Sequence, residues 1–327
     1  MHRDPFERVL EQAVEQSRQL EEGEPAGYIP ELRNANLEHT SAAISLADGS
    51  CILAGDAQEH RFTLQSSAKV VLLAGLLEEM GPDKVFATVG TEPSGGSFSS
   101  VARLETHGPS PTNPLVNAGA IALCSLIPGD AESKIAWLRR WVSNLYGRPL
   151  PVNDRVLNSE RETADRNRAI AYFLRGSGAI EGRVEDILLA YFTLCSFEAS
   201  VEEVSRMACI LAQGGVAVGG RRALSSESAS STVSLMATCG MYDESGSHLL
   251  RTGLPAKSGV SGVICAVAVG KAGIAVSSPR VNAKGGSVRG HSILEAVSKR
   301  LEWHFAFGKA AFGQAALGQL DPGGASS

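Results

Sequence analysis

The chain has 327 residues, 43% of them hydrophobic and 20% charged, with a formal net charge of −5. That length allows a large core and two lobes, and the composition is ordinary for a soluble globular protein. The negative balance gives no general attraction for nucleic acid or an anionic membrane, and no apolar run approaches the length that spans a bilayer.

The opening segment, "MHRDPFERVLEQAVEQSRQLEEGEPAG", lacks a secretory apolar core, so cytoplasmic residence is expected. Asp4-Pro5 followed by Glu7 predicts a helix start, with Phe6, Val9, Leu10, Ala13 and Val14 on one face. "GEPAGYIPEL" breaks that helix. "TSAAISLADGSCILAGD" predicts two strands joined by a tight turn at Asp48-Gly49. "FTLQSSAKVVLLAGLLEEMG", Phe62 to Gly81, then predicts a helix that is apolar on all sides from Val70 to Leu77, hence buried.

The middle of the chain reads as helices punctuated by glycine and proline: "NPLVNAGAIALCSLI", "AESKIAWLRRWVSNLYG", "NRAIAYFLRGSG", "VEDILLAYFTLCSF" and "VEEVSRMACILAQGG". "GGVAVGG" lacks the GK[ST] ending of a phosphate loop and reads as a connection. "SGVICAVAVGKAGIAVSSP" predicts two strands joined through Gly270 to Gly273, and "GHSILEAVSKRLEWHF" a final helix. Strands near both ends with helices between predict one mixed or antiparallel sheet and an inserted helical lobe, an α+β fold. The expected division is 1–75 with 240–310 as the α/β lobe, 76–239 as the mainly helical lobe, and 311–327 as a flexible tail.

Six cysteines form no CxxC pair and read as buried free thiols. Seven histidines are scattered without HExxH spacing. No metal or other cofactor is expected.

Ser66-Ser67-Ala68-Lys69 is an S-x-x-K motif at the mouth of the apolar helix. On a helix, residues three apart share a face, which sets Ser66 beside Lys69 and leaves Ser67 facing Val70. Apolar surroundings disfavour a charged lysine and lower its pKa from about 10.4. A neutral lysine can take the serine proton and make the serine a nucleophile. Farther on, Lys257-Ser258-Gly259 at the start of a strand resembles the K-T-G element of serine β-lactamases and penicillin-binding proteins, in the same chain order.

Several longer blocks carry a more specific likeness. "AGYIPEL", "FTLQSSAKV", "EPSGGSFSS", "NPLVNAGAI", "NSERETADRNRAIAYFL", "AYFTLCS", "MATCGMYDESG", "GLPAKSGVSGVI" and "SVRGHSILEAVS" follow one another between about residues 20 and 305. In these blocks the chain resembles the bacterial and mitochondrial glutaminases that share the serine β-lactamase-like fold. The resemblance implies that fold, hydrolysis of the L-glutamine side-chain amide to glutamate and ammonia with water as co-substrate, and a homodimer or homotetramer. It implies Ser66 as nucleophile and Lys69 as its base, with Tyr191 and Tyr242 assisting. Tyr28, Gln65, Ser66, Asn117, Glu160, Asn167, Tyr191, Tyr242 and Val260 match positions that bind substrate or assist chemistry.

Those roles agree with the chemistry of a zwitterionic substrate. A carboxylate such as Glu160 suits an α-ammonium, and Asn117 and Asn167 can bond a carboxylate or amide without adding charge. The backbone N–H groups of Ser66 and Val260 suit an oxyanion. Taken alone, Glu160 also reads as an exposed acid at a helix start, Asn117 as a helix cap and Tyr191 as core. The chain departs from the family pattern at Ser67-Ala68, at Ser99, and at Gly286, where "GNS" is usual, with Asn282 and Lys284 as unusual neighbours. Alternatives to a glutaminase are another serine hydrolase of the same fold, β-lactam-reactive or esterase-like, and a catalytically silent glutamine sensor.

Overall fold

A computed structural model describes residues 5–27, 29–94 and 110–306. The cap residue Asp4, Tyr28, Ser99 and the expected flexible tail lie outside the described residues.

The sheet forms where apolar runs lie between turn residues. Strands Ser41–Leu46 (β1) and Cys51–Gly55 (β2) make the expected hairpin, and Asp48 Oδ1 accepts from the Ser50 N–H at 2.9 Å in its turn. Ala256–Ser258 (β5), Val263–Ala268 (β6) and Ala272–Ser277 (β7) complete five strands in the order β2-β1-β7-β6-β5. Every pairing in the sheet is antiparallel, with Ile44 opposite Ile274 and Ile274 opposite Ala266. Lys257 and Ser258 thus stand on a short strand of their own at the sheet edge. Phe62–Thr63 (β3) and Glu198–Ala199 (β4), too short for the sequence pattern to mark, pair separately.

Alternation decides the two faces of the sheet. Ala42, Ile44, Ile264, Ala266, Ile274 and Val276 pack under helices Pro5–Ser17 (α1) and Val288–Leu301 (α12), against Leu10, Val14, Ile293 and Val297. Ala43, Val263, Cys265, Val267 and Ala275 face the other way, into the larger core. Both faces are covered, which explains strands with almost no polar alternation.

The larger core is helical. Its centre is Lys69–Thr88 (α3), with every residue from Lys69 to Leu77 buried. The helix bends at Gly81, φ 77°, before Pro82, and its helical hydrogen bonding resumes to Thr88, beyond the expected end at Gly81. Around it pack Asn117–Leu126 (α4), Ala131–Tyr146 (α5), Asp165–Gly176 (α7), Val184–Cys195 (α8) and Val201–Ala212 (α9). Helix α4 starts four residues later than the sequence pattern suggests. Asn113 Oδ1 accepts from the N–H groups of Leu115 and Val116, and that turn competes with helix. Helix α9 crosses the sheet so closely that a Cβ on Gly273 would lie 2.1 Å from the Cys209 nitrogen.

Besides the four-residue turn Pro30–Arg33 (α2), three helices escaped the sequence pattern: Asp154–Glu162 (α6), Ser226–Cys239 (α10) and Ser245–Thr252 (α11). Helix α10 is rich in serine and threonine, which disfavour helix interiors. It forms because Ser225 Oγ caps the Ser228 N–H at 3.1 Å and because its buried side packs on α3.

Candidate active site

The chain enters α3 through a 3-10 turn, Gln65–Ala68, that carries Ser66. Gln65 has φ +48° and Tyr242 has φ +55°, two of the three non-glycine residues with positive φ among the described residues. Left-handed backbone costs roughly 1–2 kcal/mol per residue, and such strain concentrates where structure must aim a side chain. Here both strained residues flank Ser66. Ser66 lies beside the Tyr242 phenol and opposes the upward push of burial on it.

The neighbouring Ser67 faces away. Its hydroxyl donates to the Leu64 carbonyl at 2.6 Å, a local bond that ties down the turn. Ser261 Oγ donates to the Thr63 carbonyl at 2.7 Å, which brings the Gly259–Gly262 turn, and Val260 on it, to the same place.

Lys69 is fully buried, and its Nζ donates to Asn117 Oδ1 at 2.7 Å and to the Leu115 carbonyl at 3.3 Å. Asn117 Nδ2 continues the chain to Asn167 Oδ1 at 3.0 Å. The Lys69 ammonium position lies 5.9 Å from the Tyr191 ring and 6.0 Å from the Tyr242 ring. Burial lowers the Lys69 pKa to about 8, with nearby Glu160 pulling the other way. Lys257, also fully buried, sits 4.0 Å from the centre of the Tyr242 ring and donates to the Ser258 carbonyl at 2.8 Å. Burial first, then the charge of Lys69, holds its pKa well below the ordinary lysine value.

Glu160 stands in the last turn of α6, 6% exposed, rather than as a solvated acid at a helix start. Burial raises its pKa to about 7 against the lowering effects of a Gln65 hydrogen bond and of Lys69. The Gln65 amide also donates to Thr63 Oγ1 at 3.3 Å, so its orientation is fixed.

Gln65, Ser66, Asn117, Glu160, Asn167, Tyr191 and Val260 line one cavity of about 280 Å³. That is near the small end of ligand pockets, roughly 300–1,000 Å³, and suits a molecule the size of an amino acid. Tyr242, Lys69 and Lys257 stand behind its reactive corner. Of the residues given a catalytic or substrate-binding role from sequence, Tyr28 falls outside the described residues. Thr163, Ala164, Arg166 and Cys195 also line the cavity and were not anticipated. Spacing could have found them: three lie between Glu160 and Asn167, and Cys195 is one helical turn beyond Tyr191. Burial pushes the Cys195 thiol far up, so it is inert as a nucleophile. Among the described residues no group of three or more His, Cys, Asp or Glu could hold a metal ion.

The arrangement has the parts of a serine acyl-transfer centre: a buried hydroxyl beside a phenol, two lysines of lowered proton affinity, and a carboxylate across a small cavity. Comparison with known proteins agrees. A family model described as Glutaminase matches residues 23–305. A glutaminase of Legionella pneumophila (strain Lens) is 47% identical over 300 residues, covering 91% of this chain and 97% of that one. Glutaminase 2 of Clostridium perfringens (strain 13 / Type A) is 41% identical over 303 residues, covering 91% and 99%. Among solved structures, the probable glutaminase ybaS superposes with a TM-score of 0.89 at 36% identity, covering 92% of this chain and 98% of that one. A crystal structure of Mglu in its glutamate form gives 0.88 at 33% identity, covering 92% and 70%. The antiparallel sheet, its flanking helices and the helical core are the β-lactamase-like architecture that the sequence blocks implied. Likeness of this extent, in sequence and in backbone, makes the chain a member of the glutaminase family.

Proposed function

We propose that the protein hydrolyses the side-chain amide of L-glutamine to L-glutamate and ammonia through an acyl-enzyme on Ser66. The observation that carries this is the sharing of one small cavity by Ser66 and Glu160, with a neutralisable lysine behind the serine. Family membership supports the reaction, and one structural relative was solved in its glutamate form, the product of that reaction.

Ionised Glu160 binds the substrate α-ammonium, which in turn favours ionisation of the carboxyl. Asn117 and Asn167 bond the substrate carboxylate or amide, and Tyr191 closes the site around the substrate. Ser66 Oγ attacks the amide carbon. Its proton passes to the Tyr242 oxygen as the Tyr242 proton moves on to neutral Lys69, so no phenolate accumulates. The oxyanion rests on the backbone N–H groups of Ser66 and Val260. Collapse of the tetrahedral intermediate breaks the C–N bond, and the returned proton leaves with ammonia. Water then attacks the ester by the same proton route, and glutamate departs. Lys257 lies under the Tyr242 ring, and it and Lys69 are not charged together, since two ammonium ions at this depth repel.

No helix among the described residues is long and apolar enough to cross a membrane. Cytoplasmic residence and a homodimer or homotetramer belong to the same proposal. The test is ammonia release from glutamine by purified protein, beside hydrolysis of a chromogenic β-lactam and a search for an adduct with a glutamine-like electrophile. Ammonia release with an adduct on Ser66 is expected. β-Lactam turnover without ammonia, or an adduct on Ser67, would overturn the assignment.

A further inference from the structure

Tyr242 opens a 3-10 turn, Tyr242–Glu244, in a backbone conformation that an aromatic residue rarely adopts. Ser245 grips the turn from one side: its Oγ accepts from the Met241 N–H at 3.0 Å and donates to the Tyr242 carbonyl at 2.8 Å. The Glu244 carboxylate is gripped from the other. Asn282 Nδ2 donates to its two oxygens at 3.0 and 3.2 Å. Asn282 Oδ1 accepts from the N–H groups of Lys284 at 2.9 Å and Gly286 at 3.0 Å, so one side chain organises the whole 282–286 loop. Lys284 pairs with Asp243 at 3.5 Å. The same loop reaches Val260, since a Cβ on Gly285 would lie 3.3 Å from Val260 Cγ1.

A Cβ on Gly286 would fall 2.7 Å from His291 Nε2 and 2.8 Å from Glu244 Oε2. No side chain fits there while those two groups stand. Asn282, Lys284 and Gly286 all meet in this one cluster. His291 completes it, with Nε2 3.8 Å from Glu244 Oε2 and Nδ1 3.3 Å from His248 Nδ1. His248 Nε2 faces the Leu254 carbonyl at 3.1 Å and must donate to it. His291 must then donate from Nδ1, and two neutral rings leave no hydrogen for the Glu244 contact.

We propose that Glu244, tied by Asn282 and abutting His291, is a positioning residue for the reaction: it fixes Tyr242 against Ser66 and steadies Val260. The inference rests on the hydrolase reading of the Ser66 site. The test compares Glu244→Ala, Glu244→Gln, Gly286→Asn and the double variant Glu244→Ala/Gly286→Asn by kcat, KM and amide hydrogen exchange. Glu244→Ala should lower kcat about tenfold or more with KM within about threefold, because the lost contact acts on the chemical step. Its amides at 241–245 and 282–286 should exchange faster. Glu244→Gln should stay within about threefold of the parent, since its oxygen still accepts from Asn282 and its amide supplies the hydrogen that His291 lacks. Gly286→Asn alone should lose activity by collision, and the double variant should recover part of what Glu244→Ala loses. A Glu244→Ala protein with parental kcat, or a Gln variant as impaired as the Ala variant, would overturn the proposal. If the parent protein released no ammonia, the hydrolase reading would fall, while exchange at 241–245 would still decide whether Glu244 fixes the Tyr242 turn.

Discussion

Two regions of the molecule bury lysines, and they do so in opposite ways. Lys134, on α5 and 5% exposed, donates to the carbonyls of Cys124 at 3.1 Å, Ser125 at 3.4 Å and Ile127. These lie at the C-terminal end of α4, where carbonyls lack helical partners and the helix dipole favours a cation. Lys69 and Lys257 lie deeper, share three oxygen acceptors between them, and repel each other. Lys134 is a bolt between two helices, whereas the pair behind Ser66 is kept short of acceptors and readily loses protons. Burial lowers the proton affinity of all three lysines, and the supply of acceptors is what separates them.

The sharpest way to break that contrast is to remove each ammonium. Lys69→Met should lower turnover by roughly 10³-fold or more, as loss of a base does, and Ser66→Ala should do at least as much. Melting temperature should hold or rise in Lys69→Met, because a buried, poorly solvated charge is gone. Lys69→Arg should be inactive too, since guanidinium cannot take the proton. Lys134→Met should do the reverse, costing about 1–3 kcal/mol of stability by stranding carbonyls, with near-parental kcat. Thermal melts beside ammonia assays read both, and a Lys134→Met protein that is stable but inactive would erase the distinction.

Glu160 extends the contrast to a carboxylate. Glu160→Gln should raise KM by about 1.5–3 kcal/mol in binding terms and change kcat less, because the ammonium contact exists in ground and transition states alike. Its folded pKa of about 7 lies above the unfolded value, so its contribution to stability is complete below about 4.5 and lost as pH rises through 7. The loss amounts to about 3 kcal/mol at pH 8, so Glu160→Gln should be more stable than the parent there and equal to it near pH 4. Unchanged KM would remove Glu160 from the substrate site.

The pH profile gives a smaller, finer reading. Ionised Glu160 and neutral Lys69 are both required, and their pKa values of about 7 and about 8 lie on the same side of the optimum. The ratio kcat/KM should climb with pH through both, more steeply than one proton allows below pH 7. Glu160→Gln should flatten that limb to a single proton. A flat profile from pH 6 to 9 would exclude Lys69 as the base. The smallest effect belongs to Ser67→Ala, which should keep activity within about threefold and lose about 1 kcal/mol of stability with its Leu64 bond.

Much of this was legible in the chain. Apolar runs and turn residues marked the two hairpins, and the wholly apolar face pattern marked α3 as buried. The S-x-x-K spacing and the longer blocks named Ser66, Glu160, Asn167 and Val260, and these line one cavity. What stayed hidden depends on partners distant in sequence. The Ser66–Tyr242 contact, the acceptors around each lysine, and the crowding of Gly286 by Glu244 and His291 are properties of contact. Helix α10 stayed hidden for another reason: its packing on α3 overrides a poor local preference.

The order of strands in the sheet carries a consequence for how the protein is made. The hairpin β1–β2 is complete once Gly55 has left the ribosome, yet the open edge of β1 waits for β7, which begins at Ala272. Roughly two hundred residues separate them, which at roughly 5–20 residues per second is a delay of roughly 10–40 s. Through that interval an apolar strand edge stands unpaired, the kind of surface on which nascent chains associate wrongly. Slow translation and high expression should therefore harm the yield of this protein more than its finished stability suggests, and the hairpin is where a holding chaperone would have most to protect.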